Sequence, residues 1–258
     1  MTLAVDIGNS NIVIALYKAD HWTKTFRYET KETQPEYFYE GALRNLLLEW
    51  GISSSKINNS VISSVVPDLN ESIRYAIFSV MGHQPLIINP EVIMALDIHM
   101  PHPYEIGSDI VCNAYAALKL YGSKVIVIDF GTALTFTAAD HDKGLFGVSI
   151  APGLQTAAIS LASHTAQLPM VPMELPKSAL GYDTMSAIQS GVMWGYVGLV
   201  KEMIGRIKSE IGSDYKVIAT GGLSTILHPL EDNLDQVDKM LTLEGMRLIQ
   251  IYYQTHLL

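Results

Sequence analysis

Apolar and polar positions fall into two rounds of the same order, short apolar runs first and helical spacing afterwards. In the first round, apolar stretches around Leu3–Asp6, Ile12–Tyr17 and Thr23–Tyr28 predict three strands. Residues 36–50 carry apolar side chains at helical spacing and stop at Gly51. A strand over 60–66 ends at Pro67, and a helix over 68–82 takes Asp68 as N-cap and Gly82 as its end. PLIINP (85–90) reads as a strand, the Pro-punctuated stretch 97–106 as a loop, and 107–122 as an Ala-rich helix stopped by Gly122.

The second round repeats the theme. A strand runs up to Asp129, and a second apolar run covers Leu134 to Ala138. Gly144 and Gly147 mark turns, and 148–168 hold a Pro-Gly turn and a helix. A Pro-broken linker spans 170–176, a long helix 183–211 and a strand Lys216–Thr220; the turn Gly221–Gly222–Leu223 leads into a C-terminal helical region. Strands then helices, repeated once, predict an α/β protein of two domains, 1–120 and 121–258.

The repeat is closest at one phrase. LAVDIGNSNIVIALY at 3–17 is matched by VIVIDFGTALTFTAA at 125–139, with Asp6 and Asp129 at the strand ends. A strand-end carboxylate can reach a hydrated Mg²⁺. Gly8 and Gly131 permit a tight turn and close approach of backbone to a phosphate. Asn9, Ser10 and Thr132 add donors. Either copy alone also reads as an ordinary hairpin with an Asp-x-Gly turn; the matched pair points to a duplicated domain that holds a nucleotide.

Composition narrows the class. The chain is 48% hydrophobic and 17% charged, enough for a large core and against disorder. Its net charge is −9 and no dense Lys/Arg run occurs, which argues against nucleic acid or an anionic membrane as partner. A single cysteine, Cys112, precludes an intramolecular disulfide or a C-x-x-C knuckle. The N-terminus lacks the pattern of a signal peptide, and Ala187 to Val200 is too short and Gly-rich for a membrane span, so a cytoplasmic location is expected.

No G-x-x-x-x-G-K-[ST] is present, so the chain is not a P-loop kinase. Thr220 to Ser224, with Gly221 and Gly222, is either an adenosine or ribose site or a plain strand-to-helix turn. Asp109 follows Gly107-Ser108 in the first turn of a helix, where the dipole favours its charged form. It could accept a proton from a substrate hydroxyl, although spacing alone favours an acid that only stabilises the helix. Gly191, Gly195 and Gly198 make a small-residue face suited to close packing or a dimer. His99 and His102 lack a third ligand for a metal.

DIGNSN (6–11), SSVVP (63–67), GSD (107–109), IDFGTALT (128–135), PGL (152–154), TAQLP (165–169), AIQSG (187–191), ATGG (219–222) and LEG (243–245) together resemble the type III pantothenate kinase family. The resemblance implies two ribonuclease H-like domains of the actin-like ATPase kind, mixed sheets flanked by helices and related by duplication. It implies phosphorylation of pantothenate by ATP, the first step of coenzyme A synthesis, by a homodimer that uses Mg²⁺ and a monovalent cation, K⁺ or NH₄⁺. Carried over by motif, Asp6, Ile7, Gly8, Asn9, Ser10, Asn11, Ile12 and Val13 form the first phosphate loop. Gly131 and Thr132 lie on the ATP phosphates, Asp129 near the monovalent cation, and Asp109 is the general base. Met100, Gly107, Ser108, Asp109, Ile110 and Thr184 meet pantothenate.

Four positions depart from the family pattern: Ile110 stands for an Arg, Met100 for a Tyr, Val13 for a frequent Lys and Val148 for a Gly. Loss of the Arg removes a charge and up to five donors. Lys143, Lys177 and Arg27 are the basic residues considered as replacements. The alternatives to be weighed are a kinase for another small hydroxyl substrate and a catalytically impaired nucleotide-binding homologue like the Bvg accessory factor.

Overall fold

A computed structural model of the chain describes residues 1–31, 34–163, 171–224 and 228–257. It divides into two compact units, Met1–Ala116 with Thr242–Leu258, and Ala117–Leu241. The motif TAQLP at 165–169 lies outside the described residues.

In the first unit, β1 (Thr2–Ile7), β2 (Asn11–Lys18) and β3 (His21–Glu29) form an antiparallel meander. After α1 (Glu36–Trp50) the chain returns as β4 (Asn59–Ser64), parallel to β1; α2 (Asn70–Met81) leads to β5 (Leu86–Ile87), parallel to β4. The sheet order is β3-β2-β1-β4-β5. Alternation explains its core: Leu3, Val5 and Ile7 of β1 with Ile12, Ile14 and Leu16 of β2 pack against Leu43, Leu46 and Leu47 of α1 and Ile73 and Ile77 of α2. Each such burial contributes roughly 1.5–3 kcal/mol. Gly51 and Gly82, at φ 66° and 78°, end the two helices in the left-handed conformation glycine tolerates. Asp68 does not cap α2; it lies in a short 3₁₀ turn, Pro67–Leu69, that runs straight into the helix. After α3 (Pro90–Met94) comes α4 (Ser108–Tyr121), along which the division between the units falls.

The second unit repeats the topology. β6 (Lys124–Phe130), β7 (Ala133–Asp140) and β8 (Gly144–Pro152) are an antiparallel meander. α5 (Leu154–Ser163) and α6 (Thr184–Ile211) precede β9 (Lys216–Thr220), parallel to β6, and β10 (Gln236–Val237), parallel to β9. The order β10-β9-β6-β7-β8 mirrors the first sheet strand for strand. Gly147 does not turn the chain as expected; it lies inside β8 opposite Ala138, beside a register shift. Gly144, at φ 77°, starts the strand after the turn. α6 is entered through a capping box in which Asp183 accepts from Ser186 N and the Ser186 hydroxyl accepts from Asp183 N.

The last helix, α7 (Leu241–His256), expected with the second domain, groups with the first unit. Leu243, Met246 and Ile249 are buried. Gly245 sits so close to Cys112 that a Cβ there would strike the Cys112 carbonyl. Trp22 Nε1 donates to Glu244 at 3.2 Å, and the Arg247 guanidinium lies 4.5 Å from the centre of the Tyr17 ring. The LEG motif thus anchors a helix to the first sheet.

Candidate active site

Asp6 is the next-to-last residue of β1, in register with Val13 on β2 and Ser63 on β4. The turn after it closes through Gly8 N–H to Asn11 O at 3.0 Å, leaving Asn9, Ser10 and Asn11 exposed. A Cβ on Gly8 would sit 3.2 Å from Asn11 O, so the turn is tight but not crowded. Thr30, absent from the sequence-based site, holds it from β3: its hydroxyl donates to Gly8 O at 2.6 Å and its N–H to Ser10 O at 3.0 Å. Ile7 and Ile12 are core side chains and Val13 is buried, so these members of the loop offer a ligand only their backbone.

Asp109 lies at the start of α4, where its Oδ1 accepts from Ile110 N at 2.8 Å. Burial pushes its carboxyl above the ordinary aspartate range, against the amide bonds from Ile110 and Asp109 itself. Gly107 makes room for it: a Cβ there would come within 2.5 Å of Asp109 Oδ1. Ser108, expected at the substrate, turns inward and is buried. Its Oγ accepts from Ser64 N at 2.9 Å, donates to Ser64 O at 3.1 Å and lies 2.9 Å from Ser63 Oγ. With its one proton given to Ser64, Ser108 takes the Ser63 proton, and Ser63 in turn meets Cys112. Burial, then Asp6 and Asp109, push the Cys112 thiol well up. Both carboxylates therefore act by charge on one buried thiol, and the serines tie β4 to α4. Met100 and Ile110 are buried, an apolar lining where the family pattern has polar groups.

In the second unit Asp129 occupies the matching place on β6, in register with Thr135 and Thr220. Glycines crowd it. Gly221, at φ 91°, could carry no side chain: a Cβ would lie 2.6 Å from Asp129 Oδ1 and 2.7 Å from Phe130 N. A Cβ on Gly153 would strike the carbonyls of Gly131 and Thr132. Gly131 N donates to Ala133 O at 3.1 Å; Thr132 O accepts from Gly153 N at 2.9 Å and from the Thr156 hydroxyl at 2.7 Å. Gly153 and Thr156 were missed as site residues, though the PGL motif marked the first. Gly222 and Thr132 are exposed beside this cradle. Thr184 is exposed as the first residue of α6. Lys143 is taken up with Asp140, at 3.8 Å, and with the Phe146 ring.

These groups fit a nucleotide and a hard divalent cation. Glycine cradles present backbone where a side chain would collide, and Asp6 is a half-buried carboxylate beside an exposed turn. Among the described residues no three His, Cys, Asp or Glu side chains cluster as an all-protein metal site. Mg²⁺ keeps waters and takes one or two carboxylates plus phosphate oxygens, a role that a half-buried strand-end carboxylate such as Asp6 fits. No helix among the described residues is long and apolar enough to cross a membrane.

Comparison with known proteins carries the geometry to a family. The family model described as type III pantothenate kinase matches residues 2–206. The type III pantothenate kinase of Moorella thermoacetica is 37% identical over 249 residues, 96% of this chain and 98% of that protein. Among solved structures, one described as a 2-dehydro-3-deoxygalactonokinase from Sinorhizobium meliloti superposes with a TM-score of 0.62 at 12% identity, covering 100% of this chain and 98% of that one. Another, described as a Baf family transcriptional activator from Campylobacter jejuni, gives 0.59 at 21% identity, with 98% of both chains covered. These two likenesses bear on the fold alone, which here is two mixed five-stranded sheets of matching strand order, flanked by helices. Duplicated Asp–Gly turns, an aspartate at a helix start and a match along most of the sequence agree, and the chain belongs to the type III pantothenate kinase family.

Proposed function

We propose that this chain transfers the γ-phosphoryl group of ATP to the primary hydroxyl of pantothenate, yielding 4'-phosphopantothenate and ADP. The observation that carries the reading is Asp109: a carboxylate at a helix start, held by the amide of Ile110 and made more basic by burial. It accepts the hydroxyl proton as the oxygen attacks phosphorus; a raised pKa improves that acceptor at neutral pH. Phosphoryl transfer is mostly positioning and charge stabilisation. Gly8 N and Gly131 N close their own turns, and the amides of Asn9, Ser10 and Thr132 hold phosphate oxygens, while Gly221–Gly222 accommodates the nucleoside. Mg²⁺, when bound, neutralises phosphate charge; Asp6, and perforce the waters it orders, would hold it. Asp129 is the ligand proposed for K⁺ or NH₄⁺.

The same reading includes a homodimer, a cytoplasmic location and Thr184 contacting pantothenate. Supporting the dimer, Ile150, Leu180, Tyr182 and Met185 expose large apolar surfaces in the second unit, and a Cβ on Gly191, Gly195 or Gly198 would meet open space. The test is ATP-dependent phosphorylation of pantothenate by purified protein with Mg²⁺, comparing K⁺ with Na⁺, alongside Asp109→Asn. Turnover that requires Asp109 and K⁺ supports the reading; phosphorylation of other alcohols but not pantothenate contradicts it.

A further inference from the structure

The chain has five arginines, and four of them are committed to a glutamate one helical turn away: Arg44 to Glu40, Arg74 to Glu71, Arg206 to Glu202 and Arg247 to Glu244. Arg27 is the exception. It is exposed on β3, and among the described residues no hydrogen bond or ion pair engages it. An arginine left without a carboxylate in a chain of net charge −9 calls for an anion from outside.

Its position says which anion-binding region it serves. Arg27 is in register with Val13, and Val13 with Asp6, so the three form one row across β3, β2 and β1. Directly opposed residues share a face. The core confirms the parity: Leu3, Val5, Ile7, Ile12, Ile14 and Tyr28 turn to the helical core, which leaves Asp6, Val13 and Arg27 on the other face. Two strand spacings separate the backbones of Arg27 and Asp6, about 10 Å. A guanidinium and one phosphate or carboxylate oxygen span that gap. The bonds from Thr30 to Gly8 and Ser10 fasten the end of β3 to the turn, so Arg27 is fixed relative to it. The row holds no other cation: Val13 offers none, and neither does Ser63, its member on β4.

We propose that Arg27 is the substrate-binding cation of the first unit, donating to an anionic oxygen of the bound substrates, either an ATP phosphate or the carboxylate of the acceptor. The proposal rests on the kinase reading for its substrates. A planar, permanently charged fork suits either group.

The test compares the parent with Arg27→Gln and Arg27→Lys, using pantothenate and its carboxylate-free alcohol analogue pantothenol as acceptors. Arg27→Gln is expected to lower kcat/KM by about tenfold to a hundredfold, the scale of one lost charge-assisted bond. Arg27→Lys recovers part of it, and Val13→Lys in the Arg27→Gln protein restores charge to the same row and part of the rate. Because no described residue pairs with Arg27, melting temperatures stay level. A loss confined to pantothenate assigns the carboxylate; a loss with both acceptors and in KM for ATP assigns the phosphates. Values of kcat/KM within twofold of the parent for both substrates overturn the proposal. A parent inert toward pantothenate sinks the kinase reading instead. Calorimetric titration of MgATP and of pantothenate into parent and Arg27→Gln then decides Arg27: a weaker Kd for either supports it, and unchanged values for both overturn it.

Discussion

The two units share a strand order and an Asp–Gly turn, yet the residues set beside those turns differ. The first turn, Gly8 to Ser10, is a residue longer than Gly131–Thr132 and has Asn9 and Ser10 exposed, and a Cβ on Gly8 would press only on Asn11 O. The strand before it carries Asp6, in one row with Val13 and Arg27 across the sheet and with Ser63 on β4, where the serines seat α4. The second turn is walled by Gly153 and Gly221, and what it presents is mainly backbone. One frame recurs twice; the first copy adds a second carboxylate, Asp109, at a helix start, and the second adds glycines that bring backbone close.

The contrast can be broken from either side. The largest effect is expected on the first: Asp109→Asn should lower kcat by roughly a hundredfold to ten-thousandfold, the range for a positioned general base. Stability should move the other way. The folded carboxyl has a raised pKa, so the native state holds a proton the unfolded chain has lost, and stability falls as pH rises through that window. Removing the charge therefore raises the melting temperature at pH 7, by about 2–4 °C for each kcal/mol recovered. The gain fades below about pH 4, where unfolded aspartate is also protonated. Calorimetry at pH 7 and pH 4 checks the sign.

Next comes the second unit. Gly221→Ala adds a left-handed alanine and a collision with Asp129 and the Phe130 backbone, and should cost about 3 kcal/mol. Gly8→Ala, which meets only Asn11 O at 3.2 Å, should cost about 1 kcal/mol or less. Chemical denaturation of both variants tests whether the two turns differ as described; equal losses would erase the distinction. Comparable to Gly8→Ala is Ser108→Ala, which removes the hydroxyl between Ser63 and Ser64 and should cost about 1 kcal/mol. If the serines position Asp109, kcat falls severalfold while KM for pantothenate holds; a rise in KM alone would return Ser108 to the substrate.

Much of this frame was legible in the sequence because it is periodic. The alternation of β1 and β2 and the glycines after α1 and α2 state their own structure, and Asp6 and Asp129 could be paired from their flanking residues. Gly147 misled because a glycine inside a strand beside a bulge looks like a turn. The return of α7 to the first unit was hidden because it depends on Gly245 meeting Cys112, residues far apart in sequence. Thr30, Ser63 and the row through Arg27 were hidden for a related reason: strand register joins them, and register is a property of the paired sheet. Ser108 sat in a recognised motif, but nothing in its spacing told which way the hydroxyl turned.

The most direct measurement is phosphate transfer itself, with purified protein, ATP, Mg²⁺, K⁺ and pantothenate, the parent beside Asp109→Asn. The account predicts 4'-phosphopantothenate and ADP in equal amounts from the parent and at least a hundredfold less from the variant. An equally active Asp109→Asn, or ATP bound but pantothenate left unphosphorylated by the parent, would contradict it.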